Sequence, residues 1–252
     1  MRPAPRTEAG GGLDGHRPGP LFVDRHDAGR ALGERLRFWA GAHPVVLGLP
    51  RGGVPVAYEV ARALGAPLDV IVARKIGAPA DPEVGLGAVA EDGVRVFHPT
   101  ALAWPGLTAQ ELERRARRAA DEVDRRVALY RGCGRAIPLA GRTVIVVDDG
   151  LATGGTALAA LRAVRHRRPR TTVLATPVGA SATVAALAHE VDHVVCLATP
   201  ERLSAIAECY DDFDQASDAD VIRLLLARRR EYMTGREPAD VHRRARPSAD
   251  AR

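Results

Sequence analysis

A chain of 252 residues, 46% of them apolar, is long enough to bury one α/β core with a small accessory lobe, and nothing in it forces a second domain. No apolar run approaches the roughly 18–20 residues of a membrane span, and the N-terminus lacks an apolar signal core. The expectation is a soluble cytoplasmic protein with no membrane partner. The net charge of +5 invites a nucleic-acid reading until it is located. Residues 228–252 carry eight Arg against four acids and residues 1–20 three Arg against two acids, which leaves 21–227 neutral with 25 charges of each sign. Charge alone therefore does not imply a nucleic-acid face, although the basic C-terminal tail could touch RNA nonspecifically. The predicted organisation is a disordered tail over 1–20, one folded domain over 21–230 and a disordered basic tail over 231–252.

In chain order, Asp27 can cap a helix with Ala28, Ala31, Leu32, Leu36 and Trp39 at apolar spacing. Val45-Val46-Leu47-Gly48-Leu49 reads as a strand, then Pro50-Arg51-Gly52-Gly53 as a turn, and Val54 to Leu64 as a helix. Two glycines permit an unusual turn with exposed amides, and Arg51 adds positive charge. Taken alone, such a motif usually serves connection only. Leu68 to Ala73 is a predicted strand followed by Arg74-Lys75. Lys75 is the one lysine among 36 basic residues. An ammonium and a guanidinium at that edge could hold a pyrophosphate, or could be a solvated charge pair.

Residues 76–107 are rich in Gly and Pro with short strand-like pieces such as Val94-Arg95-Val96-Phe97, which suggests a flexible active-site cover. Thr108-Ala109-Gln110-Glu111 is a capping-box pattern opening a charged helix to about Tyr130. Next comes the run Val144-Ile145-Val146-Val147-Asp148-Asp149-Gly150-Leu151-Ala152-Thr153-Gly154-Gly155-Thr156. Four β-branched residues suit a strand covered on both faces, as in a parallel sheet. Asp148 and Asp149 would emerge where it ends, which is where ligands sit in open α/β sheets.

The loop behind them lets the backbone approach an anion, and the free N–H groups of the following helix favour one. The acidic pair suits neutral hydroxyls or a divalent cation. A buried strand ending in a solvated turn with an N-cap threonine is the plainer alternative. A P-loop is excluded because Gly155 stands where that motif needs lysine, and Gly85-Leu86-Gly87 is too short for a dinucleotide fingerprint. A helix to about Arg168, the strand 172–176, a helix near 181–189, the strand 193–197 and a helix from Ser217 to about Arg229 complete the pattern. Alternating strands and helices predict a right-handed, mostly parallel α/β sheet flanked by helices. Cys133, Cys196 and Cys209 have no metal-ligand spacing and read as reduced thiols or packing residues. His189 and His193 make a weak zinc pair.

Two hydrophobic residues, Asp148-Asp149, a short stretch and Thr153-Gly154-Gly155-Thr156 resemble the signature of the type I phosphoribosyltransferases, which bind 5-phosphoribosyl-1-pyrophosphate (PRPP). The resemblance extends over roughly residues 21 to 227 in element order. It implies that Asp148 and Asp149 hold the ribose hydroxyls and that Ala152, Thr153, Gly154, Gly155 and Thr156 hold the 5′-phosphate. Arg51, Gly52 and Gly53, in a turn that in the family often carries a strained peptide bond, would bind pyrophosphate together with Arg74 and Lys75. The implied reaction is attack of a nitrogen acceptor on C1 of PRPP, with Mg2+ bound mainly through PRPP and no direct protein metal site. A homodimer is compatible with it.

Purine 6-oxo members generally place an acid before the loop threonine, where this chain has Ala152, so a hypoxanthine or guanine acceptor is disfavoured. No stretch fixes another base. Asp81, Glu83 and Glu91 are candidate general bases, and Tyr210 or Phe213 could stack on an acceptor or simply pack. A noncatalytic PRPP- or nucleotide-sensing regulator that binds RNA or DNA is the second reading.

Overall fold

The computed structural model describes the backbone of residues 6–9 and residues 20–79, 81, 84–99, 101–132 and 134–235. Strands β1 (Arg6–Ala9), β2 (Val45–Gly48), β3 (Leu68–Val70), β7 (Thr143–Val147), β8 (Thr171–Val178) and β9 (His193–Ala198) form one sheet. Its order is β1-β9-β8-β7-β2-β3, with every pairing parallel. Helices α1 (Arg25–Arg35), α2 (Gly53–Ala63), α4 (Gly155–His166), α5 (Ser181–Ala188) and α6 (Asp218–Thr234) flank it. The remaining elements are β4 (Ala73–Gly77), β5 (Gly85–Ala90), β6 (Arg95–Phe97) and the long helix α3 (Ala109–Arg131).

Period-two alternation along the central strands explains why the sheet is covered twice. Val45, Leu47, Val144, Val146 and Leu174 face one way and join Ala160, Leu161 and Val164 of α4. Val46, Ile145, Val147, Val173 and Ala175 face the other way and join Leu32 beside Val56, Val60 and Ala61 of α2. All five residues of β7 are buried, and each Val or Ile so placed contributes about 1.5–3 kcal/mol of burial. The expected buried strand thus lies at the centre of the sheet.

The chain leaves β2 through α2 to its neighbour β3, and leaves β7 through α4 to its neighbour β8 on the opposite side. The loops after β2 and β7 therefore diverge from adjacent parallel strands, whose pairing runs from Val45↔Val144 to Gly48↔Val147. Such a switch point opens a crevice at the carboxyl ends of the strands.

Several expectations shift. The N-cap of α1 is Asp24, whose carboxylate accepts from the Asp27 N–H at 2.7 Å; Asp27 lies inside the first turn. Residues 6–9, placed by sequence in a disordered tail, form a strand against β9, and α6 continues past residue 230 to Thr234. The expected strand 68–73 ends at Val70, and β4 starts a second sheet at Ala73. Within the expected flexible cover over 76–107 the strand-like pieces form, with the start of β4, the antiparallel sheet β4-β5-β6. Its Ile76, Leu86 and Val89 pack on Leu112, Ala116 and Ala119 of α3, while Ala73, Ala88 and Ala90 belong to the core shared with α4. Among the described residues no helix is long and apolar enough to cross a membrane.

Candidate active site

Asp148 and Asp149 follow directly on β7 at the switch point. The Asp148 N–H donates to the Ala175 carbonyl at 3.2 Å, which extends the ladder to β8, and the Asp149 N–H donates to Asp148 Oδ1 at 2.9 Å. Asp149 Oδ2 accepts from Arg25 Nε at 2.7 Å, with the two side chains only 17% and 10% exposed. The Asp149 carbonyl accepts from the Tyr210 hydroxyl at 2.6 Å. Burial first, and then the Asp149 carboxylate beside it, push the Asp148 carboxyl well above the ordinary carboxylate range, against the opposing N–H of Asp149 and the more distant Arg25. Two acids thus share one site with the Arg25 guanidinium as countercharge, an arrangement that favours added hydroxyl donors or cationic charge.

The turn after β2 wedges against this pair. Its Pro50–Arg51 peptide bond is cis. A Cβ at Gly52 would overlap Asp149 Oδ2, and one at Gly53 would come within 2.7 Å of the Val147 carbonyl and 3.0 Å of the Asp148 Cα. Glycine is therefore required here by close approach, since Gly52 itself has ordinary helical dihedrals, φ −61 and ψ −35. The N-terminus of α2 has no side-chain cap. Arg51 is half-buried at the turn, and its charge acts on the Tyr130 phenol.

The loop after Asp149 is tied down from behind. Leu151 donates its N–H to the Val178 carbonyl and accepts from the Ala180 N–H, and the Thr183 hydroxyl donates to the Ala152 carbonyl at 2.6 Å. Ala152 and Thr153 are exposed. Gly154 caps α4 in the left-handed region, φ +72, without a side-chain hydrogen bond. Around Gly155 a Cβ would meet nothing within 4 Å. An uncapped helix N-terminus with room at its first residue has unsatisfied N–H groups and favours an anion.

The small sheet separates the two basic residues expected to act together. Neighbours on a strand point to opposite faces, so Arg74 shares the α3 face with Ile76, 4.0 Å from Glu122 of α3, and Lys75 shares the α4 face with Ala73. Lys75 thus shares its face with α4, the helix that follows the Asp148 loop. Glu91 is no solvated base. It is 4% exposed, accepts from the Val72 N–H at 2.8 Å, and pairs with Arg131 and Arg167 at 2.7 Å each. Asp81 is exposed, whereas Glu83 and Cys133 lie outside the described residues.

Two residues gain importance that the sequence did not signal together. Arg25 joins Asp149, donates from Nη1 to the Asp214 carbonyl at 2.7 Å, and lies 3.7 Å over the centre of the Phe213 ring. Phe213 also packs on Tyr210, which is itself buried against Phe22. An arginine in a helix's first turn reads as solvated; the acid pair's need for a countercharge is the signal that could have found it. Cys196 and Cys209 are unpaired and buried, with burial pushing the Cys196 thiol up to about 12. No cluster of three or more metal-ligating side chains occurs among the described residues, around His189 and His193 or elsewhere.

The mostly parallel sheet flanked by helices, with an acid pair at its switch point between two uncapped glycine turns, places the chain in the α/β class. The chain belongs to the phosphoribosyl transferase domain family, whose profile matches residues 26–198. It is 46% identical over 212 residues to two Mycobacterium tuberculosis proteins named "Putative phosphoribosyl transferase", from strains H37Rv and CDC 1551. The match covers 84% of this chain and 48% of each relative, so the chain spans about half the length of these curated relatives. The crystal structure of the protein TT1426 from Thermus thermophilus is 44% identical and superposes with a TM-score of 0.69, covering 82% of this chain and 98% of that one.

Proposed function

We propose that this domain transfers the 5-phosphoribosyl group of PRPP to a nitrogen acceptor and releases pyrophosphate. The observation that carries the reading is the wedge of the Pro50–Gly53 turn against Asp148 and Asp149 at the switch point, with the uncapped start of α4 beside it. In this reading Asp148 and Asp149 accept hydrogen bonds from the ribose hydroxyls. The N–H groups from Ala152 to Thr156, with the hydroxyls of Thr153 and Thr156, hold the 5′-phosphate. Arg51, the Gly52 amide and Lys75 meet the pyrophosphate, where charge accumulates as the C1–oxygen bond breaks, while the Gly53 N–H already donates to the Leu49 carbonyl at 3.0 Å and Gly53 serves by its close approach. Arg74, on the other face, is left out of that set.

The donor set fits Mg2+ carried in by the substrate. Two crowded carboxylates supply too few ligands to hold a cation alone, yet would gain from one beside them. When bound, the ion would neutralise the leaving pyrophosphate. The protein's own share is orientation and the exclusion of water by the β4-β5-β6 lobe.

A cytoplasmic setting accords with this substrate. The absence of an acid at Ala152 argues against a 6-oxopurine acceptor, and the Phe213–Arg25 stack offers a planar surface beside Asp149. A screen for pyrophosphate release from PRPP and Mg2+ against nucleobases and small amines tests the proposal. Acceptor-dependent release supports it; no release with any acceptor, in a protein that binds PRPP, favours a sensing role instead.

A further inference from the structure

A cavity of about 510 Å³ lies away from the acid pair. Its walls include Leu68, at the start of β3, and Arg142, just before β7. By register Leu68 and Asp69 lie level with Ile145 and Val146, so the cavity runs from before β7 along the edge strand β3, and its lining includes no residue of the Pro50–Gly53 turn or the Asp148–Thr156 loop. The volume falls in the range of small-molecule sites.

Its chemistry is two-sided. Leu225, Leu226, Arg229, Tyr232 and Met233 come from α6 at spacings that share one helix face, and the end of α3 adds Tyr130. Ile137 completes an apolar and aromatic wall. Three guanidiniums, those of Arg135, Arg142 and Arg229, border the same space. Arg229 reaches the 134–135 turn, with Nη1 3.9 Å from where a Gly134 Cβ would stand. Arg142 donates to the His43 carbonyl, at 3.2 Å. The acid in the lining, Asp69, is already engaged by Arg131 at 3.2 Å and by the N–H groups of Val70 and Ile137. Converging cations without a carboxylate among them repel one another, and an anion relieves that cost.

We infer that this cavity is a second ligand site, for an anion carrying a phosphate on an aromatic body, that is, the nucleotide class. The phosphate meets Arg135 and Arg229 at the rim, and the base lies on the Tyr232 ring against the aliphatic wall of Leu225, Leu226 and Ile137. A nucleotide could also enter the proposed active site as product, so the test separates the two.

The full chain is titrated by calorimetry with AMP, UMP, inorganic phosphate and decanoate. The same titrations use Asp148→Asn with Asp149→Asn, Arg135→Glu with Arg229→Glu, and Tyr232→Ala. The two arginines are exposed, so their reversal leaves the core untouched. The expected result is nucleotide binding that survives in the Asn variant and weakens about tenfold or more on reversing the arginines. Tyr232→Ala should weaken nucleotides but not phosphate. Three results would each overturn the inference: nucleotide binding lost in the Asn variant and intact after arginine reversal, binding of decanoate but of no nucleotide, or no nucleotide binding at all. None of these bears on PRPP binding by the wild-type chain, which is measured separately.

Discussion

Gly52 and Gly155 invite the same substitution with opposite effects on stability. At Gly52 the backbone already suits alanine, so Gly52→Ala would by itself stabilise the fold by about 0.4–1 kcal/mol through the unfolded chain. The added methyl, however, would overlap Asp149 Oδ2 and sit 2.6 Å from its Cγ. The carboxylate must retreat by about 1.5 Å to reach ordinary contact. That carries the 2.7 Å Arg25–Asp149 contact beyond hydrogen-bond range, at roughly 1.5–3 kcal/mol for a charge-assisted bond. The net expectation is a stability loss of about 1–2 kcal/mol. PRPP affinity should fall about 10- to 100-fold, because the displaced acid is a proposed ribose ligand.

Gly155→Ala enters open space in the first turn of α4. Stability should hold or rise by up to about 1 kcal/mol, yet PRPP affinity should still drop by at least about tenfold if a phosphate occupies that space. Thermal unfolding and calorimetry with PRPP and Mg2+ measure both quantities. Wild-type PRPP affinity in Gly155→Ala, or in Gly52→Ala, would refute the reasoning.

Other outcomes follow from the same geometry. Lys75→Ala should raise the KM for PRPP about tenfold or more, while Arg74→Ala leaves it within about twofold, because the two side chains lie on opposite faces; equal effects in steady-state kinetics would contradict the assignment of faces. Asp148, with its carboxyl held above the ordinary range, binds a proton in the native state that the unfolded chain has already lost. Its contribution to stability therefore declines as pH rises through that window. Ribose or cation binding requires the carboxylate, so PRPP affinity should rise with pH through the same window, with proton release visible in calorimetry, and Asp148→Asn should flatten the profile. Glu91→Gln removes the charge that faces both Arg131 and Arg167 in a buried setting and should cost about 3–5 kcal/mol by chemical denaturation. A loss within about 0.5 kcal/mol would show that the network is not structural.

Much of the site is local in sequence and could be read there. Val144 to Thr156 contains the strand, the acids and the glycine turn in one run, because a parallel strand, its carboxyl end and the next helix are consecutive in the chain. Pro50 to Gly53 has the same logic. What the sequence hid depends on long-range partners. The apolar run from Leu68 to Ala73 is hydrophobic almost throughout, yet the chain changes sheets between Val70 and Ala73, a change of hydrogen-bond partner that hydropathy does not register. Gly85 and Gly87 disguised β5, although a Cβ at Gly87 would strike the Val96 carbonyl of β6 and explains that glycine. Arg74 and Lys75 read as one unit because adjacency in sequence is not adjacency on a strand face. Arg25 lies 124 residues from Asp149, and Asp69 and Glu91 meet Arg131 across 62 and 40 residues, so neither partnership has a local signature. Asp24 and Asp27 are both capable caps, and only the backbone turn chooses between them.

The central claim is that Asp148 and Asp149 clamp the ribose of PRPP. Calorimetry of PRPP with Mg2+ against the wild-type chain and against Asp148→Asn with Asp149→Asn tests it most directly, since each lost charge-assisted contact removes roughly 1.5–3 kcal/mol. Binding by the wild-type chain that disappears in the double variant is the predicted result. Equal affinity in the two proteins would contradict the assignment.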